Sequence, residues 1–279
     1  MFEINGETRQ LGIIGCPIEH SFSPQMHNFI SEKMGNNYVY TALEVKPGSV
    51  KEAVEGIRAL GFAGVNVTAP HKYEVMKYID KIAPQAQRYG SVNTIVNRDG
   101  VLTGYNTDAD GFYQSLLREG VEIKDKDILI VGAGGATKPV GVLFSEVGAK
   151  SITIINRTKE KAVALSEYVY SLDGYRILTE RQHSHYDVVI NTTSLGMYPD
   201  VDGCPLEDMS FVDADTAAAD MIYNPAETVF LKRARENGAK TVNGLGMLIG
   251  QGIISYELFT NTKLPDDMFD QIAKGVFGK

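Results

Sequence analysis

The sequence predicts an α/β protein with two domains. Strand-like and helix-like segments alternate along all 279 residues, which is the pattern of α/β folds. Near the middle of the chain, the apolar run Ile128–Val131 is followed by a glycine-rich turn, Gly132–Ala136, and then by sequence compatible with a helix. A strand, a glycine turn and a helix start in this order are typical of a doubly wound sheet that binds a dinucleotide. An ordinary connection between a strand and a helix is the alternative.

Composition and charge narrow the class of protein. Hydrophobic residues make up 43% and charged residues 22%, as in ordinary globular domains. The net charge of −8, with dispersed lysines and arginines, argues against nucleic acid as a partner. No apolar run approaches the roughly 20 residues of a membrane span, and Met1–Gln10 does not read as a secretory signal. Cys16 and Cys204 are isolated, which suits a reducing cytoplasm, and they share no zinc-site spacing with histidines, so we expect no metal.

The first part of the chain predicts a small α/β unit of roughly a hundred residues, a common domain size. Short apolar, β-branched runs predict its strands, at Leu11–Gly15, Tyr38–Val45, Ala63–Val67, Thr94–Val96 and Val101–Gly104. The last two flank Asp99 and Gly100, which favour a hairpin turn. Helices are predicted at Pro24–Met34, Pro47–Leu60, Lys72–Asp80, Ala83–Tyr89 and Asp108–Glu119.

The second part begins near Asp110 and continues the alternation. Strands are predicted at Asp127–Val131, Ser151–Asn156, Tyr175–Leu178, Tyr186–Asn191, Ala217–Ile222 and Thr241–Asn243. Helices are predicted among them at Ala136–Val147, Thr158–Tyr170 and Thr228–Asn237, and the succession indicates a doubly wound sheet. Two closing helices, Gly246–Phe259 and Asp266–Val276, end the chain. Periodicity alone leaves open which domain they join.

Polar residues collect just past predicted strand ends, where open α/β sheets bind their ligands. Ser21 and Ser23 stand at a helix entrance, where two hydroxyls could hold a carboxylate, although Ser23 could equally be an N-cap. Lys72 follows another strand, and a lysine in a cleft can act as an acid or a base, whereas a solvated lysine is the alternative. Asp108 could pair with such a lysine or cap the helix that it begins.

The strand after the glycine turn ends at Asn156, Arg157 and Thr158. NAD sites usually place an acidic residue here for the ribose 2′-OH, whereas arginine accommodates the 2′-phosphate of NADP. No acidic residue stands here, and Lys159 and Lys161 add positive charge, so the sequence favours NADP(H). Thr158 could also serve only as the cap of the next helix.

Taken in order, these clusters resemble the motifs of one family, the shikimate dehydrogenases, over nearly the whole chain. Each motif alone is a weak signal, but eight in the family's order are specific. The matching segments are Ser21–Asn28 (S-x-S-P-x-x-H-N), Asn66–Lys72 (N-V-T-x-P-x-K), Val92–Thr94 (V-N-T), Gly104–Asp108 (G-x-N-T-D), Gly132–Ala136 (the glycine loop), Asn156–Thr158 (N-R-T), Asp220–Pro225 (D-x-x-Y-x-P) and Gly244–Gln251 (G-x-x-M-L-x-x-Q).

The resemblance implies an oxidoreductase that reversibly reduces 3-dehydroshikimate to shikimate with NADPH, on the pathway to chorismate and the aromatic amino acids. It implies a substrate domain of residues 1–109 and 246–279 and a Rossmann-like NADP domain of residues 110–245, with the C-terminal helices returning to the first domain. Catalysis is implied for Lys72 and Asp108. Substrate contacts are implied for Ser21, Ser23, Asn66, Thr68, Lys72, Asn93, Asp108, Tyr223 and Gln251. Cofactor contacts are implied for Gly132, Ala133, Gly134, Gly135, Ala136, Asn156, Arg157, Thr158, Lys161, Thr192, Gly244 and Met247. We expect a monomer or homodimer whose partner is a small molecule, with no nucleic acid or membrane.

The glycine loop departs from the family at its end. Thr137 occupies the third glycine position, so the fingerprint is incomplete and does not predict the close packing of helix on strand that a glycine would allow. Lys138 stands where the family usually has arginine, and it offers a point charge in place of a planar fork. The alternatives are a quinate/shikimate dehydrogenase with broader substrate or NAD use, and a non-catalytic metabolite sensor on the same scaffold.

Overall fold

The structure, a computed structural model, describes residues 4–279. The chain divides into two compact units, Met1–Thr107 together with Ile249–Lys279 (unit 1) and Asp108–Leu248 (unit 2). Each unit is built on its own sheet, so the predicted α/β class is confirmed. The C-terminal segment belongs to unit 1, and the predicted return of the closing helices is therefore also confirmed. No helix among the described residues is long and apolar enough to cross a bilayer.

Unit 1 contains a six-stranded mixed sheet in the order β2-β1-β3-β5-β6-β4. Its strands are β1 (Arg9–Gly15), β2 (Tyr38–Glu44), β3 (Gly64–Val67), β4 (Lys81–Ile82), β5 (Thr94–Arg98) and β6 (Val101–Tyr105). β1 runs parallel to β2 and β3, whereas β5 is antiparallel to both β3 and β6. The carboxyl ends of β1, β2 and β3 therefore lie along one edge, where the predicted polar residues follow them.

The helices complete both units. They are α1 (Ser23–Met34), α2 (Val50–Ala59), α3 (Pro84–Tyr89), α4 (Asp108–Arg118), α5 (Thr137–Glu146), α6 (Lys159–Asp173), α7 (Val229–Glu236), α8 (Leu245–Thr260) and α9 (Met268–Phe277). In unit 1, α2 buries Val54 and Ile57 in the same core as Val65 of β3 and Ile95 of β5. Phe259 of α8 packs directly over Gly64, where a Cβ would meet its ring, so the glycine admits the helix onto the sheet.

Unit 2 contains a five-stranded, wholly parallel sheet in the order β11-β10-β9-β7-β8. Its strands are β7 (Asp127–Val131), β8 (Ser151–Ile155), β9 (Val188–Asn191), β10 (Ala217–Asp220) and β11 (Lys240–Val242). Leu178 adds an isolated parallel bridge to Thr153 of β8. Counting that bridge as the third strand of the unit gives the order 3-2-1-4-5-6, which is that of a dinucleotide-binding sheet. The order reverses between β7 and β9, which is where such sheets bind ligands.

Two predicted elements are wrong, because tertiary pairing overrides local pattern. The helix expected at Lys72–Asp80 is reduced to one 3-10 turn, Glu74–Lys77, because the chain then joins the sheet: the Asp80 N–H donates to the Leu102 carbonyl and β4 pairs with β6. The strand expected at Tyr175–Leu178 amounts to the bridge at Leu178 alone, held by two backbone hydrogen bonds to β8.

Candidate functional site

The serine motif lies at the start of α1 in unit 1. The helix begins at Ser23 itself, its cap residue is Phe22, and no side chain caps it, so the N-cap alternative for Ser23 is wrong. Ser21 Oγ instead accepts the Ser23 N–H at 3.3 Å. Ser23 is buried and its hydroxyl hydrogen-bonds to Tyr40, whereas Ser21 is half-buried.

A buried polar network holds the amide of Asn66 at the end of β3. The Tyr40 hydroxyl donates to Asn66 Oδ1 at 2.7 Å. Asn66 Nδ2 donates to Ser255 Oγ at 2.9 Å and to Thr94 Oγ1 at 3.0 Å. Asn66 is only 4% exposed, so both ends of its amide are fixed from within unit 1. Sequence reasoning missed Tyr40 and Ser255. The signal for Ser255 was its place one helical turn after Gln251, whose carbonyl its hydroxyl contacts at 2.8 Å.

Asn93 is fixed in the same network. Its Oδ1 accepts the Thr107 N–H at 2.8 Å, and its Nδ2 donates to Thr107 Oγ1 at 3.0 Å. Thr107 Oγ1 in turn lies 3.0 Å from Ser255 Oγ. The hydrogen bonds of Thr107 thus set the backbone immediately before Asp108, which is buried as the first residue of α4.

Lys72 ends a turn that is anchored on several sides. Thr68 N–H donates to the Ile14 carbonyl at the end of β1, and Gly15 lacks the Cβ that would clash with the Thr68 methyl. The Lys72 carbonyl accepts the Val92 N–H at 2.9 Å. The Lys72 side chain is half-buried. The buried His71 ring lies with Nε2 2.6 Å from the Val45 carbonyl; because a carbonyl only accepts, Nε2 carries the proton.

His27, from the serine motif, is a buried imidazole with no hydrogen-bond partner on either nitrogen among residues 4–279. Its ring stacks on Tyr40 at 4.2 Å, so it orients the tyrosine that holds Asn66. Burial lowers the pKa of His27 from 6.5 to about 3. The folded protein therefore keeps this ring neutral at pH values where the unfolded chain protonates it.

We expect His27 to make the protein less stable as pH falls from about 6.5 toward about 3, because only the unfolded state binds the proton there. The slope from this group is at most about 1.4 kcal/mol of unfolding free energy per pH unit. Denaturant unfolding of His27→Phe, measured between these pH values, should show a flatter pH dependence. His20→Phe makes the same substitution at an exposed histidine and serves as the control. Identical slopes for wild type and His27→Phe would refute this assignment.

The glycine loop of unit 2 follows β7 at the point where the strand order reverses. Gly132 has φ of +115°, and a Cβ there would lie 2.5 Å from Thr192 Oγ1, so only glycine fits. Gly134 and Gly135 are exposed, and nothing lies within 4 Å of a Cβ built on Gly134. That open face is where backbone could approach a pyrophosphate. Ala133 N–H is held by Asn156 Oδ1 at 3.2 Å, and Ala136 precedes α5 as its cap residue.

The third glycine position is filled without disturbing the helix. Thr137, the first residue of α5, is 0% exposed, and its hydroxyl lies 2.7 Å from that of Thr192. Thr137 is therefore fully buried, and its hydroxyl makes a hydrogen bond at the position where the fingerprint has a glycine. Lys138 points to α6, where its ammonium lies 3.4 Å from the centre of the Tyr168 ring, and burial lowers its pKa.

The residues after β8 present positive charge to solvent. Arg157 is exposed and makes no ion pair among residues 4–279, and Lys161 is exposed as well. Lys159 lies 3.6 Å from Glu180. Thr158 occupies the N-cap position of α6, but its side chain makes no capping hydrogen bond. The Thr158 hydroxyl therefore does not cap the helix.

A buried carboxyl group organises the loops after β9 and β10. Asp220 is 0% exposed and accepts hydrogen bonds from Asn191 Nδ2 at 3.1 Å, Ile222 N at 2.9 Å and Thr228 Oγ1 at 2.7 Å. Burial raises its pKa despite these donors. The D-x-x-Y-x-P motif thus opens with a structural residue. Tyr223, further along it, is half-buried and burial raises its pKa.

The last motif begins where the backbone is crowded. A Cβ on Gly244 would collide with the Met221 carbonyl, and the Gly244 N–H donates to Ile222 O at 3.0 Å. Met247 and Gln251 follow on α8, and both are half-buried.

Comparison with known proteins identifies the family. The family model described as "Shikimate dehydrogenase substrate binding domain" matches residues 13–95, "Shikimate / quinate 5-dehydrogenase" matches residues 115–198, and "Shikimate 5'-dehydrogenase C-terminal domain" matches residues 244–267. A protein of Alkaliphilus oremlandii named shikimate dehydrogenase (NADP(+)) is 42% identical over 285 residues, covering 99% of each chain. The chain belongs to the shikimate dehydrogenase family.

Solved structures of this family superpose closely on the chain. A shikimate dehydrogenase crystallised in complex with NADP+ has a TM-score of 0.92 and 41% identity, covering 98% of each chain. The shikimate 5-dehydrogenase of Listeria monocytogenes, solved with shikimate and NAD, has a TM-score of 0.90 and 35% identity, covering 96% of this chain and 97% of that one.

Proposed function

We propose that this chain is an NADP-dependent shikimate dehydrogenase that catalyses the reversible reduction of 3-dehydroshikimate to shikimate. The observation that carries the proposal is the buried polar network of Asn66 and Asn93, at the end of the strand β3 that leads into the turn of Lys72. A polyhydroxylated acid needs many hydrogen-bonding groups and few apolar ones, and this cluster supplies them. Full-length relatives with that activity name, 42% and 43% identical to this chain, support it.

The substrate-binding roles follow the family motifs. Ser21 and Ser23 bind the carboxylate, and Lys72 donates a proton to the reacting oxygen with Asp108 as its catalytic partner. The remaining ring contacts are assigned to Asn66, Thr68, Asn93, Tyr223 and Gln251. Since Asn66 and Asn93 are each fixed through both ends of the amide, their geometry is set before the substrate binds. In this proposal unit 1 is the substrate domain, and two of the assigned residues, Asp108 and Tyr223, belong to unit 2.

Unit 2 is proposed as the NADP(H) domain. When bound, the cofactor supplies the hydride for the carbonyl carbon. The open face of Gly134 and Gly135 fits a pyrophosphate, and Arg157 fits the 2′-phosphate. The further cofactor contacts are assigned to Gly132, Ala133, Ala136, Asn156, Thr158, Lys161, Gly244 and Met247.

We further propose that the enzyme is cytoplasmic and acts as a monomer or homodimer without nucleic acid. Its two cysteines, Cys16 and Cys204, are free thiols, which suits a reducing compartment. Light scattering on the purified chain measures the oligomeric state.

The activity is tested by following the NADPH absorbance band with shikimate and NADP+ as substrates. We expect reduction of NADP+ that depends on shikimate. Two further arms address the alternatives: quinate in place of shikimate, since one matching family model carries both names, and NAD+ in place of NADP+, since one superposable structure holds NAD. A higher kcat/KM with quinate or NAD+ would select the broader enzyme. No turnover with any pair would contradict the proposal and favour a metabolite sensor.

A further inference from the structure

Thr137 and Thr192 are joined by a chain of hydrogen bonds at the reversal of strand order in unit 2. Gly134 N lies 3.1 Å from Thr137 Oγ1, and Thr137 Oγ1 lies 2.7 Å from Thr192 Oγ1. Thr192 Oγ1 lies 2.9 Å from the Val131 carbonyl oxygen. Three contacts therefore run from the glycine loop, through the first residue of α5 and the loop after β9, to the last residue of β7.

The donors along this chain are fixed by chemistry. The Val131 carbonyl can only accept, so the single Thr192 hydroxyl proton points to it. Thr192 Oγ1 must then accept from Thr137, whose own proton is used in that bond. Thr137 Oγ1 is left to accept from Gly134, whose N–H can only donate. Each hydroxyl makes one donated and one accepted bond, so the hydrogen bonds of the chain all run in one direction.

The chain fastens together the two loops that flank the proposed cofactor. Gly132 has φ of +115° and its missing Cβ would lie 2.5 Å from Thr192 Oγ1, so the loops are already as close as the backbone allows. Thr137 is 0% exposed and Thr192 is half-buried, so water competes poorly for the Thr137 end. With a glycine or alanine at position 137, the Gly134 N–H would lack this acceptor.

We propose that Thr137 and Thr192 are positioning residues that pre-organise the glycine loop for the pyrophosphate of NADP(H). Thr192 acts through Thr137 and the loop, and its hydroxyl makes its bonds to protein groups. Thr137 replaces the close packing of the fingerprint's third glycine with a directed hydrogen bond. This inference rests on the NADP(H) binding proposed above. If the loop is ordered before NADP(H) binds, binding does not have to pay the entropy of ordering it. Thr137 and Thr192 therefore increase the affinity for the cofactor.

Equilibrium binding tests the pair without reference to turnover. Thr137→Val and Thr192→Val keep the side-chain shape and remove one hydroxyl each. NADPH binding is followed by its fluorescence in the full-length chain, which contains no tryptophan. We expect each variant to raise the Kd of NADPH about tenfold, the scale of one lost buried hydrogen bond. The double variant should bind about as weakly as either single one, because one chain is broken in all three. Thr137→Ser keeps the hydroxyl and should restore binding to within about twofold of wild type.

Several results would overturn the proposal. One is wild-type affinity in Thr137→Val. Another is a double variant in which the Kd of NADPH rises by the product of the two single-variant factors, since that would mean that Thr137 and Thr192 act independently. A loss in Thr192→Val with none in Thr137→Val would mean that Thr192 contacts the cofactor directly. The KM for shikimate and the melting temperature without cofactor, measured on the same variants, separate loop positioning from general unfolding. If Thr137→Val does not fold, Thr137→Ala, which removes the same hydroxyl with less bulk, takes its place. Absence of NADPH binding by the wild type would instead refute the proposed function.

Discussion

Replacing Lys72 by alanine should lower kcat about 100- to 10,000-fold, the range that general acid catalysis contributes. The proposed role is to deliver a proton to the substrate oxygen as the hydride arrives, and alanine has no proton to give. The Lys72 backbone is held through its carbonyl by Val92 N–H and through His71 by Val45, so the truncation should leave the turn in place. NADPH affinity should be unchanged, because the residues assigned to the cofactor all lie in unit 2.

The matched control is Lys77→Ala. Lys77 is an exposed lysine on the 3-10 turn that follows Lys72, and its removal should leave kcat at the wild-type value. Initial rates with saturating shikimate and NADP+, the direction in which Lys72 takes up the proton that it donates in the reduction, together with NADPH fluorescence titrations, give both quantities for each variant. Near-normal turnover in Lys72→Ala would exclude the lysine as the proton donor. Loss of NADPH binding in the same variant would point to misfolding and would call for Lys72→Met, which keeps the aliphatic stem.

Local signals in the sequence were sufficient for the fold class and the family. The run Ile128–Val131 predicts a buried strand, and Gly132 predicts a tight turn directly after it. The structure contains both: β7 ends at Val131, and Gly132 has φ of +115°. The motifs work for the same reason, since each lies within a few residues just past a strand end. The NADP(H) prediction is also confirmed, by relatives named for NADP(+) and a superposable structure in complex with NADP+.

Partners far apart in the chain could not be predicted. Thr137 is an apparent defect when read beside Gly134, and its hydroxyl links the glycine loop to the loop after β9 only because Thr192, 55 positions away in sequence, lies 2.7 Å away in space. Ser255 enters the Asn66 network across 189 positions. The helix expected at Lys72–Asp80 fails for a related reason: pairing of Lys81 and Ile82 with β6 takes the chain into the sheet. Local pattern contains none of these contacts.

Replacing Arg157 by alanine should raise the KM for NADPH about 10- to 100-fold and leave the KM for NADH nearly unchanged. The guanidinium is exposed, makes no ion pair among residues 4–279, and follows β8 at the position where dinucleotide sheets meet the ribose. A charge-assisted hydrogen bond to a phosphate is worth roughly 1.5–3 kcal/mol, which gives that range of affinity. NADH has no 2′-phosphate, so its binding is unaffected when the Arg157 guanidinium is removed.

Two further variants distinguish a specific contact from general electrostatics at this site. Arg157→Lys keeps the charge but loses the planar fork, so its KM for NADPH should lie between those of wild type and Arg157→Ala. Lys159→Ala removes a neighbouring charge whose ammonium is 3.6 Å from Glu180, and it should have little effect on either cofactor. Steady-state KM values for both cofactors are measured at low and high salt. Salt screens a non-specific attraction between the cofactor and exposed charges, so such an attraction would give the same salt dependence of KM in all variants. Equal rises in the KM for NADPH and NADH in Arg157→Ala would mean that the arginine supports the loop and does not read the 2′-phosphate.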